Sequence, residues 1–178
     1  IKFFTSPLLG RYSKDGKSPD RQTRYHNALN AHHPGLIEII QGYHTLKTTN
    51  AYHSNQAMHG SDKINVTIIE EKQTDVSIGV SMYRDAVKSD VNQLVLVSND
   101  SDLAPAIEMI RNDYPLLTIG VVLPGLLGKK GRKSGQLQKL AHWTREHLRE
   151  EELKLCQLPD KIQNPKNNKT IKKPSEWD

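Results

Sequence analysis

The sequence predicts an α/β fold in which a mainly parallel sheet carries helices on both faces. From Ile64 onward, strand-like apolar runs alternate with helical segments, and this alternation is typical of a parallel sheet. Residues 94–97 are short and wholly apolar, as strands in the middle of such a sheet are. The chain has 178 residues, which is enough for one domain with a hydrophobic core and a tail.

The predicted elements are bounded by residues that favour helix starts, helix ends and turns. Strands are predicted at residues 1–4, 36–40, 64–69, 94–97 and 117–123. Helices are predicted to begin at Ser18 and Asp75 and to cover residues 102–112 and 136–148. Between the second and third strands, residues 42–63 are rich in Asn, His, Thr and Ser, which predicts a long loop or a weak hairpin. The domain is expected to cover residues 1–155, and 156–178 to form a basic C-terminal tail that is extended or disordered, with Trp177 as an anchor.

Composition excludes several classes of protein. The single cysteine, Cys156, excludes an intrachain disulfide and a cysteine-based zinc site, and it favours a reducing, cytoplasmic location. The chain has no apolar run of the roughly 18–20 residues that a membrane span needs, so no membrane partner is expected. It also lacks a Walker loop, a dinucleotide fingerprint and a hydrolase elbow around Ser101. The net charge of +5 permits a polyanionic partner without identifying one.

Three aspartates follow predicted strands. Asp100 and Asp102 come directly after residues 94–97, and Asp75 stands at the helix start that follows residues 64–69. The carboxyl ends of parallel strands meet at one edge of the sheet, where ligands bind. Three carboxylates there would repel one another unless a hard cation such as Mg²⁺ or Mn²⁺ neutralised them. The alternatives are that each aspartate caps a helix, or that Asp-x-Asp marks a phosphatase, although Leu103-Ala104 then follows where Thr or Val is usual.

A basic loop follows the strand predicted at residues 117–123. Lys129, Lys130, Arg132 and Lys133 have no acidic residue among them, which suits a phosphate backbone and equally an ordinary solvated loop. Three further residues adjoin the aspartates in sequence and are candidates for contact with phosphate. They are Lys72, Ser98 and Asn99, and their alternatives are a surface ion pair and turn capping.

Two acidic segments, residues 71–80 and residues 95–103, together resemble segments of the NYN domain family of PIN-like ribonucleases. Residues 71–80 look like its "E-K-G-x-D-V-x-L-A" segment, and residues 95–103 resemble its "V-S-(G/N)-D-S-D-(L/F)" segment. Residues 3–5 resemble its second strand, and residues 157–160 and 173–177 a C-terminal signature of one bacterial subgroup. The resemblance implies a three-layer PIN-like fold with an Mg²⁺- or Mn²⁺-dependent active site that cleaves RNA. It also implies that Asp75, Asp100 and Asp102 are the catalytic residues and the metal ligands of this site.

The sequence departs from the family pattern at two positions. The family's first-strand "I-D-G-x-N" segment is not found, so the chain is expected to be truncated at its N-terminus. Ser81 stands where many members carry a further aspartate. The main hypothesis is a metal-dependent endoribonuclease. Its alternative is a non-catalytic RNA-binding module of the same fold, and the sequence does not fix the oligomeric state.

Overall fold

The computed structural model describes residues 1–52, 63–88, 91–128 and 133–177. They divide into two compact units, one built from Ile1–Thr74 with Gln163–Asp178 and the other from Asp75–Ile162. Both units combine helices with parallel strand pairs, which confirms the predicted α/β class. Within the described ranges, each sheet has only two or three strands.

The first unit opens with a β-α-β motif. β1 (Lys2–Thr5) pairs in parallel with β2 (Glu38–Gln41), and α1 (Ser18–His32) connects the two strands. Pro19 lies in the first turn of α1, where a missing backbone N–H leaves no helical hydrogen bond unmade. The start of α1 is therefore where the sequence predicted it.

A long antiparallel hairpin follows in the same unit. β3 (Tyr43–Tyr52) pairs with β4 (Lys63–Lys72), with Tyr43 opposite Lys72 and Tyr52 opposite Lys63. For the part of residues 42–63 that the structure describes, the predicted hairpin is confirmed, and the alternative of a long loop is wrong. Polar composition suggested a loop, but the threonines of β3 are β-branched and suit a pleated strand once β4 supplies a partner.

Gly42 joins β2 to β3 at a point where no side chain fits. A Cβ atom there would lie 2.9 Å from Ser6 Oγ and 2.6 Å from the carbonyl oxygen of Lys72. Ser6 is buried and donates a hydrogen bond to Glu71 Oε1 at 2.8 Å, and the Thr74 hydroxyl donates to the same oxygen. These bonds, that from Thr74 first, hold the pKa of the Glu71 carboxyl below its usual range. The polar cluster thereby fixes the turn that ends β4.

The second unit holds the three-stranded parallel sheet. Its elements are α2 (Thr74–Val87), β5 (Gln93–Val97), α3 (Ala104–Asp113), β6 (Thr118–Val122), α4 (Gly135–Leu140), β7 (Trp143–Arg145) and α5 (Glu150–Leu155). The strand order is β5-β6-β7, and Val97, Val122 and Arg145 lie side by side at the carboxyl edge. Among the described residues, the largest fully buried side chains belong to this unit and are Leu103, Ile107, Ile110, Ile119, Val121, Leu123 and Leu137. Each stabilises the fold by roughly 1.5–3 kcal/mol through burial.

The helix predicted at residues 136–148 was wrong beyond its first turns. α4 ends at Leu140, and β7 then runs parallel to β6. The backbone N–H of His142 donates to the Ile119 carbonyl at 2.8 Å, and its ring Nδ1 accepts from the Ile119 N–H at 2.9 Å. Trp143 covers Gly120 so closely that a Cβ on this glycine would lie within 2.7 Å of the indole ring. These contacts distant in sequence override the local helical spacing of apolar residues.

The C-terminal segment is structured. β8 (Lys161–Gln163) and β9 (Thr170–Lys172) form a two-stranded sheet, referred to below as the C-terminal hairpin. Trp177 packs edge-on against Tyr25 of α1 at 6.0 Å between ring centroids, as expected of an anchor. Among the helices described, none is long and apolar enough to cross a bilayer.

Candidate functional site

The turn after β5 carries two of the three predicted aspartates. Asp100 Oδ1 accepts a hydrogen bond from the backbone N–H of Asp102 at 3.0 Å, and Ser98 Oγ accepts one from the N–H of Asp100, also at 3.0 Å. Asp100 therefore caps a single 3₁₀ turn that leads into α3. Asp100 and Asp102 are both solvent-exposed at the carboxyl edge of the sheet.

Asp75, the third predicted aspartate, lies in the first turn of α2 and is exposed. A Cβ on Gly79 would be 3.3 Å from Ala106, and Tyr83 Oη donates to Asp113 at 2.7 Å. Because the early part of α2 faces the early part of α3 and the late part faces the late part, the helices run in the same direction. Asp75 and the Asp100–Asp102 turn thus belong to the same end of this helix pair.

The described residues contain no group of three or more His, Cys, Asp or Glu side chains close enough together to hold a metal ion. The donor set at the turn nevertheless fits a hard cation, because Asp100 and Asp102 offer only oxygen and are open to water. Mg²⁺ is usually bound through one or two carboxylates while it keeps several waters. A closed cage of protein ligands is therefore not required for such an ion.

A polar cleft of about 550 Å³ adjoins this turn. One wall comes from Asn99 and Ser101, and the other from residues 133–136, where α4 begins. Asn99 Oδ1 accepts the backbone N–H of Ser134 at 2.8 Å, which ties the two walls together. Ser134 Oγ in turn caps α4 by accepting the N–H of Leu137 at 3.4 Å.

Lys133 supplies the positive charge of the cleft. Its Nζ lies 2.5 Å from Glu146 Oε2, and the Gln138 amide donates to the other oxygen of Glu146 at 3.3 Å. The Lys133 ammonium, and to a smaller extent the Gln138 amide, lower the pKa of the Glu146 carboxyl from its usual value. Sequence reasoning missed Glu146, which directly follows β7. Recognition of the strand at residues 143–145 would have placed it at the carboxyl edge.

The other residues predicted to contact RNA lie outside the described residues or in the first unit. Lys129, Lys130 and Arg132 lie outside the described residues. Lys72 belongs to the first unit and pairs with Glu70 at 2.6 Å, and this pairing lowers the pKa of the Glu70 carboxyl. An RNA contact by each of these residues stays a prediction, as it does for Ser98, Asn99 and Lys133.

Comparison with protein families gives the classification. The model of the NYN domain matches residues 9–142, which is most of the chain and includes the whole β5–α3 turn. The chain belongs to the NYN domain family. The matched region ends just before β7, so the C-terminal hairpin lies outside the matched region.

This NYN domain is also similar to a curated protein, the 6-hydroxy-3-succinoylpyridine 3-monooxygenase HspA of Pseudomonas putida (strain DSM 28022 / S16). The two are 38% identical over an alignment of 182 positions, which covers 99% of this chain and 57% of the relative. The chain therefore spans little more than half the length of that protein. No solved structure matches the chain significantly.

Proposed function

We propose that this NYN domain is a metal-dependent endoribonuclease that hydrolyses RNA phosphodiester bonds at an acidic Mg²⁺ or Mn²⁺ site. NYN domains are generally ribonucleases and typically use divalent metals, so family membership supports the reaction class. The observation that carries the proposal is the turn at residues 98–102, whose exposed Asp100 and Asp102 stand at the carboxyl edge of the sheet beside the cleft of Lys133.

The proposal gives each side chain at this edge a role. Asp100 and Asp102 supply oxygen ligands, and Asp75, which the structure does not bring into one compact group with them, adds negative charge from the same end of the α2–α3 pair. A bound cation would lower the pKa of a water molecule and stabilise the charge that develops on the phosphate. Lys133 lines the cleft and would bind a phosphate next to the one that is cleaved by exchanging its ion pair with Glu146 for the phosphate.

The proposal includes further expectations from the sequence. Lys129, Lys130 and Arg132 add positive charge along the same RNA strand, while Ser98, Asn99 and Lys72 contact phosphate or metal-bound water. The strands belong to a three-layer PIN-like fold within a domain of residues 1–155, and the protein acts in the cytoplasm, where RNA is available.

The test is cleavage of a labelled single-stranded RNA with Mg²⁺ or Mn²⁺, with EDTA, and with Asp102→Asn. We expect cleavage only with the cation, and a large loss in the variant. Cleavage that persists in EDTA would refute the mechanism. RNA binding without cleavage by the unaltered chain would instead support the non-catalytic RNA-binding module.

A second candidate function comes from the relative. The similarity to the 6-hydroxy-3-succinoylpyridine 3-monooxygenase extends over 99% of this chain, including the C-terminal hairpin beyond the NYN match. That extent favours oxygenation of a hydroxylated pyridine as the alternative. A monooxygenase inserts one atom of O₂ into its substrate and reduces the other to water with two electrons from a donor. Consumption of O₂ that depends on both 6-hydroxy-3-succinoylpyridine and a reduced nicotinamide or flavin would support this candidate, and no such consumption would exclude it for this chain.

A further inference from the structure

We propose that a basic groove in the first unit binds the phosphate backbone of single-stranded RNA. One wall is a face of α1, and the other is the turn and second strand of the C-terminal hairpin, which contacts α1 through β9. The groove has a volume of about 510 Å³. Its lining includes Asp20, Thr23, Arg24, Asn27, Lys169 and Lys172.

Positive charge dominates the groove. Among the described residues that line it, Arg24, Lys169 and Lys172 are accompanied by one carboxylate, that of Asp20. Across residues 1–52, 63–88, 91–128 and 133–177, none of these three cations takes part in a salt bridge. Like charges that face one another across a groove repel, and a polyanion that enters the groove relieves this repulsion.

Arg21, one position from the groove-facing stripe, behaves differently. Its guanidinium lies 2.5 Å from Asp15 and 3.6 Å from Glu176, so its charge is used inside the protein. The contrast separates a structural cation on α1 from a neighbouring cation, Arg24, that remains available to a ligand.

The neutral groups of the groove suit a phosphate and sugar backbone. Positions 20, 23, 24 and 27 form one stripe along α1, which is about 10 Å long at 1.5 Å per residue. The described lining contains hydroxyls and amides but no aromatic ring. Backbone contacts without base stacking predict binding that depends little on sequence.

The hairpin wall is held in place before any ligand binds. Asn167 Oδ1 accepts the backbone N–H of Lys169 at 3.0 Å, and the Asn164 N–H donates to the Lys169 carbonyl at 2.9 Å. After β9 the chain returns to α1, where Trp177 packs on Tyr25. Because the wall is already ordered, RNA binding loses less conformational entropy there.

This inference rests on RNA as the ligand of the proposed nuclease, but it assigns binding to residues outside the acidic site. The hairpin also lies beyond residues 9–142, so the family match does not include this wall. Binding at the groove is therefore separable from cleavage at Asp100.

The test compares two double variants of the full chain. Fluorescence anisotropy of a labelled oligouridine of about 16 nucleotides is measured in EDTA between about 50 and 200 mM salt. For Lys169→Gln with Lys172→Gln we expect about tenfold weaker binding at low salt and a salt slope that is smaller by about 1.4, since each phosphate contact on a single strand contributes about 0.7. The control is Lys88→Gln with Lys154→Gln, which removes the same charge from exposed positions in the second unit.

The expected result is a loss in the hairpin variant and an unchanged slope in the control. Three results would each overturn the proposal that the groove binds RNA: an unchanged salt slope in the hairpin variant, an equal loss of affinity in both variants, or no RNA binding by the unaltered chain. Stronger binding of polyglutamate than of RNA at the groove would also overturn it and indicate an acidic protein partner. If Asp100→Asn does not affect cleavage while the hairpin variant weakens binding, the nuclease proposal fails and the groove stands.

Discussion

Asp100→Asn separates the two roles that the structure gives to Asp100. The side chain caps the turn before α3 through the 3.0 Å bond to the Asp102 N–H, and its charge is proposed to bind a divalent cation. Asparagine caps a helix about as well as aspartate, because its amide oxygen accepts the same hydrogen bond. The variant therefore keeps the cap and loses the charge.

The two effects differ in size. For Asp100→Asn we expect the free energy of unfolding to change by less than about 0.5 kcal/mol. Asp100→Ala, which also removes the cap, is expected to lower it by about 1 kcal/mol, or roughly 2–4 °C in Tm for a chain of this size. Both variants should cut RNA about 10³-fold more slowly, which corresponds to about 4 kcal/mol of transition-state stabilisation.

The assay combines single-turnover cleavage of a labelled RNA in Mg²⁺ or Mn²⁺ with urea denaturation of each variant. Asp113→Asn is the matched control, because it removes one charge from the far end of α3, where an amide oxygen can still accept the bond from Tyr83. An Asp100→Asn protein that cleaves at the unaltered rate, while EDTA still stops the reaction, would refute the assignment of Asp100 as a ligand. An equal loss in the control would show that only net charge matters.

Two further predictions concern stability. Gly120→Ala places a Cβ within 2.7 Å of the Trp143 ring, so we expect overpacking to cost about 1–3 kcal/mol in urea denaturation, and an unchanged midpoint would contradict the close approach. The hydroxyls of Thr74 and then Ser6 keep the pKa of the Glu71 carboxyl below its usual 4.5, and Ser6→Ala removes the second of them. A carboxyl whose pKa is lowered by folding stabilises the fold at pH values above its unfolded pKa. The difference in unfolding free energy between the unaltered protein and Ser6→Ala should therefore be full above about pH 4.5 and shrink as the pH falls. A difference that stays constant with pH would refute this role.

The sequence predicted the acidic turn because the signals there are local. An apolar strand ends at Val97, polar residues follow at once, and Leu103 begins the apolar face of a helix. Asp100 caps this turn with atoms only two residues away, so its position needs no information from the rest of the chain.

The elements that sequence reasoning missed depend on distant partners. β7 forms because His142 and Trp143 meet Ile119 and Gly120 of β6, more than twenty residues earlier. Read locally, the same residues have helical spacing. The missed strand also concealed Glu146, the partner of Lys133, since only a strand end places it at the cleft.

The distribution of tryptophans gives each unit its own optical reporter. The chain has two, Trp143 beside Gly120 in the second unit and Trp177 beside Tyr25 in the first. A Trp177→Phe protein therefore emits tryptophan fluorescence from the second unit alone, and a Trp143→Phe protein from the first alone. Denaturant titrations of the two proteins reveal whether the units unfold together or in sequence, and at what denaturant concentration each one loses its packing.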